Sequence, residues 1–105
     1  MPTTDPENGQ LSIDIAADTV AFKQSLLAQI IDQPLAQHLA WHFGDVNLGL
    51  NPGTFTERLL QTISAADTTN RDRLSAAFPA HVAGFRAVAN EPWGLEFIRD
   101  IARGS

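Results

Sequence analysis

His38 and His42, in the run HLAWH, stand four residues apart. On a helix that spacing places two imidazoles one turn apart on the same side, where both could ligate one metal ion. Two ligands do not complete a site. The zincin pattern also needs a glutamate directly after the first histidine as general base, and Leu39 holds that place. A metal-dependent reaction here would need a third ligand from elsewhere, and Asp45 or His81 could supply it if the fold brings them near. The commoner use of such a pair is structural, at a buried helix edge with the imidazoles bonded to carbonyls or water. His81 falls on the apolar side of its own segment, where a histidine is ordinarily packed and hydrogen-bonded, and no serine or carboxylate is tied to it by sequence. The chain has no cysteine, which removes thiolate chemistry, disulfides and sulfur-ligated metals. The expectation is a protein without cofactor or catalytic set, with a small metal-dependent enzyme built on His38 and His42 as the alternative.

Arg71, Arg73, Arg86, Arg99 and Arg103 could form a cationic patch for phosphates. Their helical positions point several ways, and Asp72, Glu96 and Asp100 interleave with them, so solvated and paired faces are the simpler account. The net charge of −5 lies wholly in the first half: one lysine faces six acids in residues 1–50, and six arginines balance six acids in 51–105. A nucleic-acid accessory role would rest on the second half alone, whereas a basic protein partner suits the chain better. Residues 44–53, GDVNLGLNPG, lack both dinucleotide spacing and a phosphate-binding lysine and read as a loop.

Hydrophobic residues make up 44% of the 105 and charged ones 18%, a low charge content for a soluble domain, although fifteen alanines inflate the apolar share. Part of the surface is then expected to be covered, by another protein or by a second copy in a homodimer. Tryptophan is enriched at interfaces as well as in cores, so Trp41 and especially Trp93 are candidate anchors, with Phe97 and Ile101 on the same last helix. The opening MPTTDPENGQ has no basic residue ahead of an apolar run, and no segment approaches the roughly 18 apolar residues of a membrane span. The expected location is the cytoplasm.

These side chains must be positioned by helices. Residues 1–10 read as a mobile tail, followed by a strand-like alternation at Leu11, Ile13 and Ile15. Asp18 is a good N-cap for a helix reaching Ile31, whose apolar side gathers Val20, Phe22, Leu26, Leu27, Ile30 and Ile31, with Lys23 snorkelling from it. Pro34 suits the first turn of a second helix to Phe43. Val46, Leu48 and Leu50 alternate in the loop and could pair with residues 11–15 as a minor two-stranded β-pair. Thr54 and Glu57 form a capping-box pattern for a helix to about Ala66, and Thr69 or Asn70 is placed to cap the next.

Residues 70–89, NRDRLSAAFPAHVAGFRAVA, carry Leu74, Phe78, Val82 and Phe85 in one helical phase and read as the stretch the rest packs around. Pro79 inside a continuous helix would cost about 3 kcal/mol. Two pieces are therefore expected, near Asn70–Ala77 and from Pro79 to about Asn90. Glu91-Pro92 then opens a strongly amphipathic last helix, spaced for Glu96–Arg99 and Asp100–Arg103 pairs.

Phe55 and Leu59 leading to Ala66-Asp67, then Asn70-Arg71, Arg73-Leu74, Phe78-Pro79, Val82 and Phe85, make the second half of the chain resemble a recurrent type of small protein encoded by actinobacteria and their phages and plasmids. That resemblance implies a helical fold and such a source, and it carries no activity and no site residue. The abundance of arginine and alanine over lysine agrees with a GC-rich genome. The chain as a whole reads as one all-α domain of five to six short helices over residues 11–105. Its expected role is non-enzymatic, binding protein through an apolar helix face.

Overall fold

The computed structural model describes the backbone of residues 8–104 and the side chains of residues 19–104. Six helices follow one another: α1 (Asn8–Ile30), α2 (Gln33–His42), α3 (Thr54–Ala65), α4 (Thr68–Ala77), α5 (Pro79–Asn90) and α6 (Gly94–Arg103). The architecture is all-α, with no strand among the described residues.

The hub is α5, which packs against each of the other five helices. Val82 and Phe85 enter a core with Ile31, Leu35, Leu39, Leu59, Leu60, Ile63, Ile98 and Ala102. Small residues on α5 let its neighbours come close. A Cβ on Gly84 would stand 2.5 Å from Leu39 Cδ1, and one on Gly94, at the start of α6, would stand 1.8 Å from the Ala87 carbonyl oxygen. Only the second obstacle is backbone, so only it cannot rotate away. The α4 half of the expected central stretch buries nothing completely; Leu74 merely packs against the core from the side.

α2 and α6 form the closest helix pair. They run antiparallel: the Gln33 side-chain amide at the start of α2 donates to the Ala102 carbonyl at the end of α6, at 3.0 Å. Gln37 donates to the same oxygen at 3.4 Å. Gly104, with φ 88°, closes α6 in the left-handed conformation that costs glycine least.

Pro79 divides α4 from α5 as its chemistry requires. Phe78 leaves helical geometry (φ −132°, ψ 64°), and Pro79 occupies the first turn, where its missing N–H removes no hydrogen bond.

Several boundaries differ from expectation. Leu11, Ile13 and Ile15 lie in helical backbone, because α1 begins at Asn8; Asp18 is therefore inside the helix rather than at its N-cap position, and the β-pair does not form. Of the expected tail, residues 8–10 are helical and residues 1–7 lie outside the described residues. The partner segment of the β-pair is folded back by hydrogen bonds from the N–H groups of Gly49 and Leu50 to the carbonyls of Asp45 and Gln37, at 2.9 and 3.1 Å. The capping box is not made: Gly53 (φ 85°) is the N-cap of α3, no side chain caps it, and Thr54 is already the first helical residue. Asp67, rather than Thr69 or Asn70, caps α4, accepting from the Asn70 N–H at 2.8 Å. The last helix starts at Gly94, two residues beyond Pro92.

The Gly94 approach predicts that Gly94→Ala lowers the unfolding free energy by about 3 kcal/mol in urea titration, the upper end of an overpacking cost. The cap predicts that Asp67→Ala costs about 1 kcal/mol in the same measurement while Thr69→Ala costs far less.

Candidate functional site

The second half of α1 carries three of the large apolar side chains left exposed among the described residues. Leu27 packs against the core and Ile31, just past the helix end, enters it. Phe22, Leu26 and Ile30 lie on another side and are 63%, 46% and 49% exposed. This corrects the sequence expectation, which placed all of them on one core-facing side. Apolar residues on this helix span more of its circumference than α5, its contact in the bundle, covers.

Between α1 and α5 runs a groove of ≈ 460 Å³. Leu26, Leu27 and Ile30 of α1, Ala83 and Ala87 of α5, and Trp93 line it. Trp93 is half-buried, its ring edge-on to Phe97 with centroids 5.7 Å apart. The rim is charged but neutralised: Lys23 Nζ pairs with Glu91 at 3.0 Å, and Arg86 with Asp72 at 3.2 Å.

Of the other expected interface residues, Phe97 and Ile101 are half-buried and packed against the core, so α6 spends much of its apolar side internally. Trp41 is half-buried on α2 and does not line the groove.

The rings of His42 and His81 are packed against aromatic side chains. His42 packs its ring edge-on to Phe43 (5.1 Å) and tilted against Phe85 (5.7 Å). His81 meets Phe78 edge-on at 5.9 Å. Asp45 is committed to its own loop: Oδ1 accepts from the N–H groups of Asn47 (3.0 Å) and Leu48 (2.9 Å), and Oδ2 pairs with Arg99 Nε at 3.0 Å. Among the described residues, no three histidine, aspartate or glutamate side chains converge as they would around a metal ion.

Burial is the main reason the His81 pKa sits below its ordinary 6.5; the nearby His38 adds to the depression and Asp32 opposes it. The unfolded chain thus takes up a proton in a pH range where folded His81 stays neutral. For Asp45 the Leu48 N–H does most to lower the carboxyl below 3.8; desolvation opposes it, and the Asn47 N–H, Arg99 and Arg103 assist.

The arginines are mostly matched. Arg99 pairs with Asp45 and Glu96, and Arg103 with Glu96 and Asp100, so both expected pairs on α6 are present. Arg73 donates to Asn70 Oδ1 at 3.2 Å. Arg71 donates to the Ala66 carbonyl at 3.2 Å and stands over the Phe85 ring, 5.9 Å from its centroid. No helix of the described residues is long and apolar enough to cross a membrane.

Two pH ranges follow. Stability is full above about pH 6.5 and declines as the pH falls below it, so the melting midpoint at about pH 5.5 is expected a few degrees under that at about pH 7.5, with His81→Gln shrinking the difference. A second decline, from Asp45, is expected only as the pH falls through its depressed value below 3.8. Scanning calorimetry across pH measures both.

No protein-family model, curated protein or solved structure matches this chain.

Proposed function

We propose that the protein is a non-enzymatic interaction module that grips protein through the face α1 and α5 present together. The observation that carries this reading is the exposed row Phe22, Leu26 and Ile30 beside the groove that Trp93 lines. Leaving three large apolar side chains in water forgoes roughly 1 kcal/mol each relative to burying them, and contiguous apolar patches with polar rims mark binding sites. Trp93 keeps its role as an anchor, since a half-buried indole lining a groove offers area at low entropic cost. Phe97 packs edge-on against that indole. The metal and nucleic-acid alternatives draw less support, because His42 is packed among aromatic rings, Asp45 is bound to Arg99, and the arginines largely face acids of the same chain.

The test compares wild-type protein with Phe22→Glu and Leu26→Glu as baits for affinity capture. Both sites are largely exposed, so circular dichroism and the melting midpoint should hold. Protein retained by the wild type should fall at least about tenfold on either variant, as expected for residues at the centre of an interface. Equal retention on all three baits would overturn the assignment of this face.

A further inference from the structure

We infer that α1 is a hinged arm: it swings off α5 about Ile31 as a unit while the other five helices stay packed, so the groove between α1 and α5 opens and closes in the native protein. The arm follows from packing alone, whether or not the α1/α5 face binds protein. It is narrowly seated. Of the side chains described on α1, from Thr19 to Ile30, none is buried; Val20, Gln24 and Leu27 are half-buried and fall in steps of four and three along one side. A further hold is the Lys23–Glu91 pair, with 50% of the lysine side chain exposed, and ion pairs of that exposure contribute little. Phe22, Leu26 and Ile30 form an outward ridge that is already about half exposed or more, so the arm's departure changes their surroundings little.

The second support is length. α1 has 23 residues and α5 has 12, about 35 and about 18 Å of helix. The shorter helix can lie along only about half of the longer one. By contrast α2, α3, α5 and α6 each bury three or four residues. α4 buries none, but it is tied at both ends, to α3 and to α5. A terminal segment with few buried apolar groups opens at a lower free energy than the body it rests on.

The third support is the joint. The ladder of α1 ends with the Ile31 N–H on the Leu27 carbonyl at 2.9 Å, and that of α2 begins with the Ala36 N–H on the Asp32 carbonyl at 3.0 Å. Between them Asp32 has extended backbone (φ −86°, ψ 173°), and Pro34 has no N–H to return to the Ile30 carbonyl. The two ladders are therefore separate, and α1 is not carried rigidly by α2. Ile31, 3% exposed, stays in the core as the pivot, and Asp32 is held on the far side by accepting from the Leu35 N–H at 2.9 Å. The swing opens the Ile31–Leu27 bond and uncovers Leu27, Ala83 and Ala87.

Amide hydrogen exchange of the native full-length protein, followed by NMR, tests the arm. A lone helix of this length is marginal in water, so each opening lets its amides exchange. Amides of residues 23–30 should exchange at least about a hundredfold faster than those of Leu39 and Phe85, and low concentrations of urea should accelerate them only weakly, because the opening exposes little surface. A lock separates swinging from fraying. The chain has no cysteine, so Lys23→Cys with Glu91→Cys can be joined by a short bismaleimide, which should slow the amides of residues 23–30 at least about tenfold relative to the same variant left unlinked. Exchange of residues 23–30 at the rate and with the urea dependence of Leu39 and Phe85 would overturn the inference, since α1 would then open only when the whole protein unfolds. Fast exchange that the lock does not slow would overturn it too, because the helix would be fraying in place.

Discussion

The structure depends on how closely backbones can approach α5. Five helices reach this short element, and beside its larger Val82 and Phe85 the small Gly84 and Ala87 let Leu39 and Gly94 of neighbouring helices come close. Dispersion falls off within an ångström of the optimum, so a core of only about a dozen buried residues is effective only if its walls touch. Gly84 under Leu39 and Gly94 on the Ala87 carbonyl set those distances. The same economy of volume makes the groove, since Ala83 and Ala87 pack no bulk against the second half of α1.

Most of the helical content was legible because it follows local rules. The 3.6-residue period located the segments after residue 18, and Pro79 split the central stretch where a missing N–H demands it. Boundaries with competing signals were less readable. Asp67, Thr68, Thr69 and Asn70 all suit a cap, and the local sequence does not say which adopts the extended backbone; Asp67 does, with ψ 176°. Thr54-x-x-Glu57 has the right spelling, yet Gly53 turns the chain one residue earlier and leaves Thr54 inside the first turn. The alternation at residues 11–15 also fits a helix with apolar groups on several sides, and a strand gains little with no sheet to join.

The candidate site was only half readable. Trp93 was visible as a large aromatic in a first turn, and it does line the groove. The ridge on α1 was hidden because periodicity reports that a face is apolar and says nothing about whether a neighbour covers it. Phe22, Leu26 and Ile30 on one side and Leu27 with Ile31 on another were indistinguishable until the direction of α5 was known. The histidines show the converse. Their spacing was plain, while what surrounds them, aromatic rings for His42 and an arginine-bound carboxylate at Asp45, comes from parts of the chain distant in sequence.

The antiparallel docking of α2 with α6 also bears on how the chain reaches this shape. Gln33 and Ala102 are 69 positions apart. Closing a loop of that length costs roughly 4 kcal/mol of chain entropy before those two helices return any of it. Neighbours along the chain, such as α4 with α5, pay little of this toll and can assemble early. Pairings of such separation, which include Lys23 of α1 with Glu91, 68 positions away, slow folding relative to the local ones.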